Sequence, residues 1–210
     1  PGIKIQHDKA IVKEIVRGKL GMDQNTFLIG FVGRITVEKG LDDLLQATAI
    51  IKKNKGKFRL VIAGDVNPNA PEYMDKLNQT IDELGIREKV DFYGFTKDVV
   101  SVMHDIDALV LPSIIPETFG LVLCEAMLAG KPVVTTDTGA QGEIVEDGVS
   151  GFVIPSFAPQ QMAEKLQVLM DNRQLAAEFG QYAKQSIITR FSVERMKREL
   201  ERFFEKCTQI

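Results

Sequence analysis

Six short apolar runs, most of them hydrophobic at nearly every position, limit what this chain can fold into. They are TFLIGFVG (26–33), FRLVIAGD (58–65), VDFYGF (90–95), ALVLPS (108–113), PVVTTD (132–137) and GFVIP (151–155). A strand with one wet face alternates apolar and polar residues, whereas a strand covered on both faces does not. Helical patterns separate the runs: LDDLLQATAIIKKN (41–54), EYMDKLNQTIDELG (72–85), KDVVSVMHDI (97–106) and FGLVLCEAMLAG (119–130). Strand alternating with helix predicts βαβ units, hence an α/β fold built on one doubly wound parallel sheet. After Pro155 the pattern turns helical through PQQMAEKLQVLMDN, LAAEFGQYAKQSI and SVERMKRELERFFEKC, giving a helical carboxyl-terminal tail over 158–210.

The 210 residues fit one such domain, and at this length roughly 70% of the unfolded surface is buried without help from disulfides or metals. A net charge of −3 gives no electrostatic case for nucleic acid. Cys124 and Cys207 form neither a CxxC nor a Cys/His cluster, which argues against zinc and for a reducing, cytoplasmic setting. No apolar run approaches the length of a membrane span, and the start carries no signal-peptide pattern. The first residue is Pro1 rather than methionine, so the expectation is a fragment or a processed product.

Doubly wound sheets bind ligands outside the carboxyl ends of their strands, where the strand order reverses. The loops to inspect are therefore GRITVEKG, AGDVNPN, YGFTKD, PSIIPETFG and TDTGAQGE. In PETFGLVLCEAMLAG (116–130), Glu125 interrupts an oily helix that opens near Phe119 or Gly120, and Glu117 lies eight positions earlier. The first amides of a helix lack internal partners and suit phosphate, and Gly120 would let one approach. Glu125 lies one turn beyond Leu121, about 6 Å along the axis, and leans back toward that end. A diphosphate on the amides would bring ribose hydroxyls to it. A buried pair with a basic residue, or a simple preference for the helix start, explains Glu125 equally well at this point. Arg34 and Lys39 flank a loop after the first strand and could face the same diphosphate; taken alone, they also suit a solvated loop.

Other chemistries find less support. GxGxxG and GxxxxGK[ST] are both absent, against dehydrogenase and NTPase readings. Asp105-Ile106-Asp107 spells a D-x-D, but it falls at the amino end of ALVLPS and reads as a turn or helix end rather than a metal site. His7 and His104 have no nucleophile motif beside them.

With these residues in view, the chain resembles the carboxyl-terminal, donor-binding half of the retaining group 1 glycosyltransferases, the family-4 type with two Rossmann-like domains. GFVGRITVEKGLDDLL is similar to the family's first strand and its Arg/Lys loop. LPSIIPETFGLVLCEAMLAGKPVVTTDTGAQGEIVEDGVSGFVIP is similar to its E-x7-E signature and the segment that follows, and RFSVERMKRELERFF to its closing helix. One departure is visible, Gly139-Ala140-Gln141-Gly142-Glu143 where Gly-Gly-x-x-E is usual.

The resemblance implies that the whole chain, 1–210, binds a nucleotide-diphosphate sugar, UDP first, with GDP or ADP as alternatives. Arg34 and Lys39 would neutralise the diphosphate, Glu125 would bind ribose, and Glu117 would hold the donor sugar. The backbone at Phe119, Gly120 and Leu121 would hold sugar and phosphate. Gly33 and Gly64 would admit the nucleotide, and Phe95 would lie at the base. Glu117, Arg34 and Lys39 are thus the expected catalytic set, working without metal or cofactor by stabilising the departing diphosphate. Residues 1–22 would lead in from an amino-terminal domain that takes the acceptor, a glycan or lipid-linked sugar, in polysaccharide biosynthesis, with peripheral contact at the inner face of the membrane. The rivals are a nucleotide-sugar isomerase of the same architecture, a glycosidase using the two glutamates, and a non-catalytic nucleotide-sugar binding module.

Overall fold

The computed structural model describes residues 15–54 and 56–208. Among them, six strands form one sheet: β1 Phe27–Val32, β2 Phe58–Ala63, β3 Val90–Gly94, β4 Ala108–Leu111, β5 Val133–Thr136 and β6 Gly151–Ile154. Their order is β3-β2-β1-β4-β5-β6, and every pairing is parallel. All six expected runs are strands. The helices are α1 Ile15–Lys19, α2 Leu41–Lys52, α3 Glu72–Glu83, α4 Val99–Asp105, α5 Leu121–Leu128, α6 Gln141–Ile144, α7 Pro159–Asp171, α8 Arg173–Arg190 and α9 Val193–Thr208.

The strand β1 shows why these runs carry no polar alternation. Phe27, Ile29 and Phe31 enter one core with Leu41, Leu44 and Leu45 of α2, Leu77 and Ile81 of α3, and Leu166 and Leu169 of α7. Leu28 and Val32 enter a second core on the opposite face with Val102 of α4, Leu123 and Met127 of α5, and Ile187 of α8. Each fully buried side chain of this kind contributes about 1.5–3 kcal/mol. The helices α7 and α8 therefore complete the layers rather than trail from them. Backbone packing fixes α8 firmly, since a Cβ at Gly180 would lie 1.9 Å from the Gly130 carbonyl oxygen. Only α9 stands away, with Leu200, Phe203 and Phe204 exposed. No helix among the described residues is long and apolar enough to cross a membrane.

The D-x-D pair holds α1 at the amino pole of the sheet, residues 1–14 of the expected lead-in lying outside the described residues. The Asp105 carboxylate accepts from the Val16 amide at 2.7 Å, and Asp107 accepts from the Leu28 amide at 2.7 Å. The Arg17 guanidinium donates to Asp107 at 2.7 Å and to the Asp105 carbonyl at 3.2 Å, while Arg173 lies 3.2 Å from Asp107. These carboxylates are structural, as their position at the helix end suggested. His7 lies outside the described residues.

Helix starts here depend on side-chain caps where one is present. Asp98 and Asn172 accept from the amides three residues on, at backbone angles close to those of Ala158, which opens α7 with no cap. Ala158→Ser supplies the missing acceptor. The expected gain is about 1 kcal/mol, or ~2–4 °C in Tm by scanning calorimetry for a chain of this size.

Candidate functional site

The strand order reverses between β1 and β4, and the loops that follow these two strands are joined directly. Gly40 has φ 68°, and a Cβ there would lie 1.9 Å from the Pro112 carbonyl oxygen. The Ile114 amide donates to the Glu38 carbonyl at 2.9 Å. Between the loops lies a cavity of about 310 Å³, lined by Arg34, Lys39 and Glu117 together with Thr36, Asn67 and Thr118. Three residues named by the sequence thus share one hollow at the expected end of the sheet.

Glu117 is held from several sides. The Ser113 hydroxyl donates to Oε1 at 2.5 Å, and the Lys39 ammonium pairs with the same oxygen. The Ala140 amide donates to the Glu117 carbonyl at 3.1 Å. A Cβ at Gly139 would lie 2.7 Å from both the nitrogen and the carbonyl oxygen of Glu117, so only glycine lets that strand end approach. Ser113 is itself fixed, its carbonyl accepting from Thr136 at 2.6 Å and Thr138 at 3.1 Å. Burial alone would raise the carboxyl pKa of Glu117. The bonds from Lys39 and Ser113, with the field of Arg34, outweigh that and hold it below the ordinary carboxylate value. Glu117 is therefore an anion at neutral pH.

The two cations differ. Lys39 is half-buried and engaged with Glu117, not standing free for a ligand as the sequence suggested. An ammonium has further N–H donors, so this pairing leaves it able to serve a second anion. Arg34 is exposed on the cavity wall, with no hydrogen bond or ion pair among the described residues.

Glu125 lies outside this cavity, on the helix that begins one turn earlier. Gly120 has φ 72° and precedes α5 with no side-chain cap on the first amides. Leu123, Cys124, Ala126 and Met127 are buried in the second core, while Leu121 and Glu125 form the exposed stripe. The helix is oily because it is buried, and the carboxylate marks the side that is not. Enough protein surrounds Glu125 for desolvation to push its carboxyl pKa up, yet no basic residue pairs with it among the described residues. Among the described residues, no buried ion pair accounts for it. Its neighbour Cys124 is a packing residue, burial pushing its thiol up to about 12.

The remaining expected positions form a row across the neighbouring strand ends. The Gly33 amide donates to the Ala63 carbonyl, and the Gly64 amide to the Gly94 carbonyl, each at 3.0 Å. A Cβ at Gly64 would lie 1.8 Å from the Gly33 carbonyl oxygen, which gives Gly64 a structural reason independent of any ligand. Gly33 is different: the nearest atom to a Cβ there is a Phe31 ring carbon at 3.4 Å, an ordinary contact. Phe95 follows β3 at the end of the row and is 67% exposed, while Phe119 is half-buried in the second core. Sequence reasoning passed over Ser113 and gave Gly139 no role. A serine four residues before a glutamate in a loop carries no periodic signal, and a glycine shows its need only beside the chain it touches.

The sequence profile described as "Glycosyl transferases group 1" matches residues 12–186. A D-inositol 3-phosphate glycosyltransferase of Mycobacterium marinum is 34% identical over 172 residues, covering 81% of this chain and 36% of its own. The Alpha-D-kanosaminyltransferase of Streptomyces kanamyceticus is 31% identical over 170 residues, 80% of this chain and 42% of its own. The chain thus spans less than half of the length of these curated relatives. The Anabaena protein Alr3699/HepE, solved in complex with UDP, superposes with a TM-score of 0.85 at 30% identity, covering 92% of this chain and 52% of its own. The C-terminal domain of a group 1 family protein (LpcC) from Francisella tularensis superposes at 0.74 with 27% identity, over 80% of this chain and 87% of that one. On sequence and fold together, the chain belongs to the group 1 glycosyl transferases.

Proposed function

We propose that this chain is the donor-binding half of a glycosyltransferase: it holds a nucleotide-diphosphate sugar and, within the full-length protein, transfers the glycosyl group to an acceptor. The observation that carries this is the convergence of Arg34, Lys39 and Glu117 on one cavity at the reversal of strand order, beside the uncapped start of α5. Breaking a sugar–phosphate bond builds negative charge on the departing diphosphate. The remaining donors of Lys39 and the first amides of α5 are fixed in advance to meet that charge, which is where preorganised electrostatics acts, and the exposed Arg34 guanidinium on the cavity wall adds to them. Glu117, kept ionised and immobile, accepts from donor-sugar hydroxyls. Glu125 on the open stripe of α5 accepts from the ribose, and the row Gly33, Gly64 and Phe95 borders the base.

UDP is the first nucleotide to test, since the Anabaena relative was solved with UDP and with UDP-glucose. The acceptor, a glycan or lipid-linked sugar, belongs to the other half of the molecule, with residues 1–22 as the lead-in from it. Retention of configuration and independence of metal belong to the same reading. An isomerase would need acid–base groups beside the sugar. The carboxylates among the lining residues are Glu38 and Glu117, and both are held below the ordinary carboxylate value, away from neutrality, while the Lys39 ammonium is engaged with Glu117.

The direct experiment is a thermal-shift panel of the chain with UDP, GDP and ADP, with and without EDTA. UDP at 100 times its dissociation constant is expected to stabilise by ~2.7 kcal/mol, or roughly 5–10 °C, insensitive to EDTA. Arg34→Ala and Glu125→Ala are expected to lower UDP affinity by about tenfold each while leaving the unliganded Tm in place, because each loses an interaction with a charged or hydroxylic ligand only. A flat panel, or unaltered affinity in both variants, overturns the reading.

Glu117 generates a separate, ligand-free expectation. Its folded pKa lies below its unfolded value, so its contribution is present above the unfolded pKa and is lost as pH falls through the folded one. Glu117→Gln should cost about 1–3 kcal/mol at pH 7. The gap to the wild type should narrow as pH falls below about 4, the ordinary range of a glutamate, toward the lower folded value. Urea melts at pH 7 and pH 3.5 check it.

A further inference from the structure

The turn between Glu117 and α5 has little of its own to hold it. Thr118 and Leu121 are exposed, Gly120 has no side chain, and the first amides of α5 are uncapped. Phe119 is the one side chain of this turn that enters a core. Its ring meets that of Phe191 edge to face, with centroids 5.8 Å apart and planes at 72°.

Phe191 lies directly beyond the last residue of α8, where its amide caps the helix by donating to the Ile187 carbonyl at 3.0 Å. The Arg190 guanidinium stacks 5.0 Å from the Phe191 ring centroid. The same side chain donates to the Ser186 hydroxyl at 3.2 Å and to the Glu143 carbonyl on α6. That short helix follows directly on Ala140, whose amide grips the Glu117 carbonyl. The end of α8 therefore touches both segments that hold Glu117, one through Phe119 and one through Glu143. Because α8 is locked to the Gly130 backbone at Gly180, it is a rigid post rather than a passenger.

We propose that Phe191 is a positioning residue for the donor site: its ring pins Phe119, and thereby fixes the Gly120 turn and the amides that open α5. Arg190 braces the same ring against α6. The inference rests on the proposed function for what the amides bind, and on the geometry alone for what Phe191 holds. It also gives the junction of α8 with the projecting helix α9 a direct mechanical link to the site.

The test compares three variants of the chain by hydrogen exchange and by UDP titration. Phe179→Ala is the control: Phe179 lies on α8 and makes the same kind of edge contact with Phe152, at 5.3 Å, in the other core. Phe191→Ala is expected to speed exchange of the amides of residues 123–126, beginning with Leu123, which donates to the Gly120 carbonyl at 2.9 Å, by about tenfold or more and to weaken UDP binding by about fivefold. Phe179→Ala should lower Tm at least as far yet leave both readings in place, and Phe191→Tyr should restore both. Unchanged exchange in Phe191→Ala, equal acceleration in Phe179→Ala, or wild-type UDP affinity in Phe191→Ala overturns the proposal. If the wild type binds no UDP, the proposed function fails, and the exchange result alone decides the positioning.

Discussion

Close approach of one backbone to another, permitted only by glycine, is the constraint on which the rest of this structure depends. At the carboxyl ends of the strands, Gly40 meets the Pro112 carbonyl, Gly64 meets the Gly33 carbonyl and Gly139 meets the backbone of Glu117. Each contact is shorter than any Cβ allows. Together they draw the ends of β1, β2, β4 and β5 into one rigid rim. A salt bridge between long side chains would tolerate movement of these loops, whereas a carbonyl packed on a Cα does not. The pairing of Lys39 with Glu117 is then a consequence of where the loops are held.

The two poles of the sheet divide the work. At the amino pole, Asp105 and Asp107 spend their carboxylates on the Val16 and Leu28 amides and on Arg17, tying α1 to the sheet. Asp105, Asp107 and Arg17 each have partners within the protein. At the carboxyl pole, Arg34 and Glu125 have none among the described residues, while Glu117 is held as an anion. Groups left without partners beside groups fixed in place are the arrangement a charged, hydroxyl-bearing ligand requires. The same chemical type, a carboxylate, is structural at one pole and available at the other.

The strands were legible because burial on both faces removes the polar alternation, and that is a property of composition along the chain. The long helices followed from periodicity though not their exact ends, α8 running Arg173–Arg190 beyond the pattern LAAEFGQYAKQSI at both ends; α6, four residues long, has no period to read. The tail over 158–210 divided in a way its pattern did not show. Met162 and Leu166 of α7 and Ala183 and Ile187 of α8 are core residues, while α9 projects. An amphipathic helix looks the same whether its apolar face is covered by its own domain or left open.

The sequence by itself determined the parallel sheet and placed Arg34, Lys39, Glu117 and Glu125 in or beside the loops at the carboxyl ends of its strands, while roles for them came only with the family resemblance. The placement needs only periodicity and residue chemistry, which are local or nearly so. The tertiary structure alone decided that Lys39 is bonded to Glu117, that Glu125 is on the open stripe of α5, and that Ser113, Gly139 and Phe191 hold the turn between them. Each of those facts joins segments distant in the chain, such as Phe119 and Phe191. A contact of that kind is set by how the layers pack, and no spacing along the sequence records it.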